Sequence, residues 1–65
     1  MLDADVVVNR MIEDGRFGAD GTLTPVIRIE FMVGKHGPFV ERMNKADYTA
    51  DARDAKLNAF AREVR

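Results

Sequence analysis

Few side chains in this sequence could act as a nucleophile or a general base. The chain has no serine and no cysteine, and His36 is its only histidine. A nucleophile needs a base within hydrogen-bond reach and usually a third group that orients the base. His36 stands between Lys35 and Gly37, in a segment typical of an exposed turn. We expect no catalytic triad, and we interpret His36 as a turn residue that could also contact a partner.

The remaining groups with possible chemistry are carboxylates and glycines. The acidic pairs Asp3/Asp5, Glu13/Asp14 and Asp51/Asp54 are close in sequence. General acid catalysis requires burial of one carboxyl group, which is hard to achieve near helix ends in a small domain. The Gly34-Lys35 pair lacks the Ser/Thr and the strand-to-helix context of a phosphate-binding loop. One histidine without cysteine cannot build a His/Cys zinc site. We predict no enzyme activity, no cofactor and no metal.

The charge balance argues against nucleic acid and membrane partners. Ten Lys and Arg residues oppose eleven Asp and Glu residues, and they are mixed along the chain. Such a pattern has no basic block to follow a phosphate backbone. No apolar run reaches the roughly 20 residues of a membrane span, and the acidic start is unlike a secretory signal. We expect a cytoplasmic protein, or a component of a particle that assembles in the cytoplasm. A nucleic-acid module stays an alternative, using these basic residues: Arg10, Arg16, Arg28, Lys35 and Arg42.

Size limits the fold to one domain over residues 1–65. A chain this short buries only about 60% of the surface that its unfolded form exposes. Small folds compensate with disulfides, a metal or association with another chain. Because the first two are not expected here, association with a protein partner is favoured.

The residue pattern predicts an α+β fold of the order α-β-β-α. Residues 2–14 have apolar side chains at roughly helical spacing and Gly15 as a stop signal, which favours a short helix. The β-branched run Val6-Val7-Val8 favours a strand instead. We predict the helix because Asn9-Arg10 and Glu13-Asp14 interrupt strand alternation. Residues 15–24 are predicted to form a loop, which Phe17 attaches to the core.

A β-hairpin is predicted from Pro25 to Met43, because apolar residues alternate with period two from Val26 to Val33. A three-residue loop at positions 35–37 would set Val33 opposite Phe39 and Glu30 opposite Arg42. A C-terminal amphipathic helix from about Thr49 to Arg65 is predicted to cover one hairpin face. That face consists of Ile27, Ile29, Phe31 and Val33.

Two surfaces have more small or apolar residues than solvation requires. The second hairpin face contains Val26, Met32 and Val40 beside charged Arg28, and either the N-terminal helix or a subunit contact could cover it. Alanines at positions 52, 55 and 59 share the outward side of the last helix; helix propensity or close approach of a neighbouring helix explains them. The hairpin edges could also accept a strand. The candidate partner-binding residues are Val26, Arg28, Met32, His36, Val40, Ala52, Ala55 and Ala59.

Residues 26–65 also resemble small proteins of tailed bacteriophages and prophages, most of them uncharacterised. The resemblance rests on Phe31-Met32-Val33-Gly34-Lys35-His36-Gly37-Pro38-Phe39 and on Asp47-Tyr48-Thr49-Ala50 opening an Ala-rich helix. Some such proteins lie among head and tail structural genes. The resemblance implies a minor virion component or assembly factor that binds copies of itself or a larger capsid or tail protein. The alternative is a small regulatory protein that inhibits a host protein.

Overall fold

The structure, a computed structural model, describes residues 1–65 as a three-stranded antiparallel sheet followed by one helix. Strands β1 (Val6–Phe17), β2 (Leu23–Val33) and β3 (His36–Asn44) lie side by side in that order. A 3-10 turn at Lys45–Asp47 leads to helix α1 (Ala50–Val64). The α+β class is confirmed, but the predicted α-β-β-α order is wrong. The order is β-β-β-α, without an N-terminal helix and with a three-stranded sheet in place of the two-stranded hairpin.

The N-terminal residues form a strand whose alternation is hidden by a bulge. Val8 pairs with Phe31 and Arg10 with Glu30, so Asn9 is an extra residue in β1. A bulge of this kind reverses which side chains point to each face. Asn9-Arg10 therefore breaks the alternation in the sequence, although the strand continues through it. The β-branched run Val6-Val7-Val8 was the correct signal.

The connection between β2 and β3 is shorter than predicted. Val33 pairs with His36, which leaves only Gly34 and Lys35 in the turn. Gly34 has φ of +58°, which suits the glycine that opens a tight two-residue connection. An irregularity follows, and Phe31 then pairs with Phe39. The predicted pairing of Val33 with Phe39 is therefore wrong by two residues.

One hydrophobic core lies between the sheet and α1. Its six buried side chains come from β1, β2 and α1: Val6, Ile29, Phe31, Val33, Leu57 and Ala61. The ring of Phe31 meets Phe60 edge to face, with centroids 5.3 Å apart, and Phe39 lies 4.8 Å from Phe60. Helix α1 thus covers the sheet face predicted for it. We call this the inner face.

Helix α1 is fixed at its start and along its length by polar contacts. Thr49 caps it, because the Thr49 hydroxyl accepts a hydrogen bond from the Ala52 amide at 3.0 Å. Asp54 is the one buried charged residue, and its carboxylate accepts a hydrogen bond from Arg53 Nε at 2.9 Å. The Met1 ammonium group lies 3.3 Å from the same carboxylate. Hydrogen bonding to Arg53, and then the ammonium group, lower the pKa of Asp54.

The N-terminal segment is attached to the far end of α1 as well. Asn58 accepts a hydrogen bond from the Asp3 amide and donates one to the Met1 carbonyl, both at 2.8 Å. The Arg65 guanidinium pairs with the carboxylates of Asp3 and Asp5. Its hydrogen bond to Asp5 lowers the pKa of that carboxyl group. These contacts hold residues 1–5 against the helix.

Candidate functional site

The sheet face that points away from α1 has no second layer over it. Side chains directly opposite each other on paired strands share a face, and neighbours along a strand alternate. The observed registers therefore assign this outer face to the following residues: Val7, Arg10, Ile12, Asp14, Arg16, Thr24, Val26, Arg28, Glu30, Met32, Val40, Arg42 and Asn44. This is the larger of the two surfaces that the sequence indicated as contacts.

Apolar side chains remain accessible on the outer face. Val7 is 54% exposed and Val40 is 43% exposed, while Ile12 and Met32 are half-buried. They lie on all three strands, so the apolar area is spread across the sheet. Antiparallel sheets commonly leave one face to water, but that face is then mainly polar. Eight of the thirteen outer-face residues are polar or charged, so the exposed valines are apolar side chains within a mainly polar surface.

The charged side chains of the outer face are mostly arginines and mostly unpaired. Four arginines, at positions 10, 16, 28 and 42, accompany two acids, Asp14 and Glu30, which gives this face a formal charge of +2. The whole chain has a charge of −1, so the rest of the molecule has −3. Arg10 Nε lies 3.7 Å from Glu30 Oε2, and the other three arginines form no ion pair. The fold therefore separates charges that the sequence mixes.

Arg28 and Arg42 occupy an electrostatically unfavourable position at the centre of this face. They are direct cross-strand partners, and like charges in such positions destabilise a sheet. The Arg28 Nε is buried and has no hydrogen-bond partner. Beside this pair lies a depression of about 120 Å³, which is lined by Asp14, Gly15, Arg16, Arg42 and the buried side chain of Val26.

A second exposed feature is a two-stranded arm formed by residues 15–25. Strand β3 ends where Asn44 pairs with Val26, whereas β1 and β2 continue to the pair Phe17 and Leu23. Phe17 is 77% exposed and Leu23 is 56% exposed. The prediction that Phe17 attaches a loop to the core is therefore wrong. The arm extends the molecule to 39 Å in its longest dimension, against 21 Å and 19 Å in the others.

The structure groups some of the predicted contact residues and separates others. The outer face contains Val26, Arg28, Met32 and Val40. His36 is exposed at the first position of β3. Ala55 and Ala59 are exposed and Ala52 is half-buried, on the helix side that faces away from the buried Asp54, Leu57 and Ala61. The alanines therefore form a surface separate from the outer face.

Sequence reasoning missed the contribution of β1 to the outer face. Val7, Arg10 and Ile12 belong to it, but the predicted helix assigned them elsewhere. The signal that could have found them is the β-branched run before Asn9, combined with one bulged residue. The arm could not be predicted for a different reason. In the sequence, its two apolar residues, Phe17 and Leu23, resemble residues that attach a loop to a core.

A second depression, of about 360 Å³, opens at the edge between β3 and α1, and four of its five lining residues are polar or charged. No group of three or more His, Asp or Glu side chains is arranged to hold a metal ion. The single helix lacks the length and the apolar character needed to span a bilayer. Comparison with known proteins adds no assignment: no family model, no curated protein and no solved structure matches the chain significantly.

Proposed function

We propose that the protein acts by binding another protein through the outer face of its sheet. The observation that carries this proposal is the coexistence of exposed valines, a half-buried methionine and unpaired arginines on one uncovered surface. Arginine, methionine and apolar side chains are typical of the centres of protein interfaces, whereas lysine is depleted there. The outer face contains four arginines and no lysine.

The partner is a different chain with an acidic surface. Two outer faces of this protein would each bring a charge of +2 to a face-to-face contact, and the resulting repulsion opposes that dimer. The resemblance to small phage proteins supplies a setting for the proposal, a minor virion component or assembly factor. Inhibition of a host protein would use the same surface in the same way.

Duplex nucleic acid is the second candidate partner. Four of the five basic residues named from the sequence, all except Lys35, lie on the outer face, and β-strands can enter the grooves of DNA. Against this, the face also contains Asp14 and Glu30. These acids reduce the net charge of the face to +2, which is low for a surface that must contact many phosphates. We therefore favour the protein partner.

Site-specific photo-crosslinking tests the proposal and captures the partner whatever its identity. We would introduce p-benzoylphenylalanine at Val40 on the outer face, and separately at Ala55 on the outward side of α1, in the cells that produce the protein. The proposal predicts a discrete protein adduct from position 40 and none from position 55. An adduct from position 55 alone, or a nucleic-acid adduct from position 40, would contradict it.

A further inference from the structure

The outer face contains a cluster of positive charges that the folded chain leaves unsatisfied. The side chains of Arg16, Arg28 and Arg42 make neither an ion pair nor a hydrogen bond within the protein. The two acids of this face form no ion pair with them. The Glu30 carboxylate pairs with Arg10, and Asp14 lines the same depression as Arg16 and Arg42, where its carboxylate accepts a hydrogen bond from the Gly15 amide.

From this cluster we infer a specific anchor point within the proposed interface. We propose that Arg28 and Arg42, assisted by Arg16, bind the carboxylate of an aspartate or glutamate side chain from the partner protein. The inference rests on the proposed function. Guanidinium groups bind carboxylates through two parallel hydrogen bonds, and the register of β2 with β3 places Arg28 and Arg42 opposite each other on the same face. A carboxylate there would also relieve the repulsion between the two cross-strand arginines.

The surroundings of the cluster favour a protein carboxylate over a phosphate backbone. Ile12 lies directly opposite Arg28 on β1, and Val40 lies two residues before Arg42 on the same face of β3. Such apolar neighbours suit a partner that presents a carboxylate within an apolar surface. Nucleic-acid binding instead draws its affinity from many phosphate contacts, and the net charge of +2 on this face supplies few.

The effect of replacing Arg28 or Arg42 on the melting temperature distinguishes a binding role of these arginines from a structural one. If these arginines stabilised the fold, replacing one would lower the melting temperature. Because they face each other as like charges, Arg42→Gln should leave the melting temperature unchanged or raise it. Functional sites are often retained at such a cost to stability.

The test uses an octaglutamate peptide as the probe and the arginine side-chain Nε–H resonances as the readout in NMR titrations. We expect saturable shifts of the Arg28 and Arg42 resonances, which high salt weakens. Arg28→Gln and Arg42→Gln should each weaken binding about tenfold or more, as expected for a charge-assisted hydrogen bond. Arg62→Gln is the matched control, because Arg62 is an exposed, unpaired arginine on α1; it should leave the affinity unchanged.

A parallel titration with a short DNA duplex distinguishes the two anionic partners. Tighter binding of the duplex at the same arginines would overturn the carboxylate assignment in favour of nucleic acid. Absence of any saturable shift with octaglutamate, or an equal loss of affinity in Arg62→Gln, would also overturn it. If a protein adduct still forms at position 40 while Arg28→Gln binds the peptide normally, the proposed function survives and the carboxylate site does not.

Discussion

The two faces of the sheet should respond differently to the same chemical change. Val33 is 1% exposed in the core, whereas Val40 is 43% exposed on the outer face. Val→Thr keeps the shape and the β-branching of the side chain and adds only a hydroxyl group. A hydroxyl buried without a partner lowers the free energy of unfolding by about 1–3 kcal/mol. Val33→Thr should therefore be clearly destabilising and Val40→Thr should lie within about 0.5 kcal/mol of the parent.

This difference is large compared with the total stability of so small a protein. A chain of this length has a free energy of unfolding of about 3–10 kcal/mol. With a urea dependence of about 1 kcal/mol per M, Val33→Thr should lower the urea midpoint by about 1–3 M. The assay is equilibrium urea unfolding followed by circular dichroism. Equal losses in the two variants would refute the assignment of the outer face as uncovered, and light scattering would then show whether copies cover each other.

Three further predictions concern the helix, acid stability and the arm. Thr49→Ala should lower the free energy of unfolding by about 1 kcal/mol in the same urea assay, because the substitution removes the helix cap. Thr49→Asn keeps a capping side chain and should retain the free energy of the parent. An equal loss of stability in both variants would contradict the capping role. Asp5 and Asp54 have lowered pKa values in the folded state, so the stabilisation that they provide is complete above the unfolded pKa of about 3.9 and is lost as the pH falls through their folded pKa values. Thermal melts of Asp54→Asn should therefore show a smaller loss of stability between neutral and acidic pH than melts of the parent. An identical loss would contradict this prediction. Phe17→Ser should change the free energy of unfolding by less than about 0.5 kcal/mol, because the ring is 77% exposed. A larger decrease in the free energy of unfolding would mean that the arm packs against the core.

The sequence predicts those strands in which apolar and polar residues alternate without interruption. From Val26 to Val33 every second side chain points inward without interruption, so both faces of β2 could be assigned. The register error did not disturb this, because the predicted and observed pairings of β2 with β3 differ by two residues. A shift of two keeps every side chain on its own face.

Strand β1 could not be recognised from the same kind of pattern. The bulge at Asn9 reverses the alternation of β1, and the last residues of β1 extend beyond the end of β3. Beyond the core neither face is buried, so the burial requirement that produces alternation is absent there. The apolar–polar alternation of β1 therefore changes phase at Asn9 and is followed by a polar end. The resulting spacing of apolar residues resembles that of a helix.

The candidate site was only partly predictable for a related reason. Sequence reasoning preferred the pairing of Glu30 with Arg42, because opposite charges stabilise cross-strand pairs. The structure pairs Arg28 with Arg42 instead. A rule that assumes that every cross-strand pair stabilises the fold cannot predict a pair of like charges.

We propose that the outer face is a binding surface that contributes little to folding. Val7→Asp tests this most directly, because Val7 is 54% exposed on that face. Val7 also lies on the opposite edge strand from the photo-crosslinker at position 40, so the substitution does not alter the crosslinking position itself. We would measure the yield of the protein adduct from position 40 together with the urea midpoint of the same variant. We predict that the adduct disappears while the midpoint stays close to that of the parent. An adduct of unchanged yield, in a variant that remains folded, would contradict the claim.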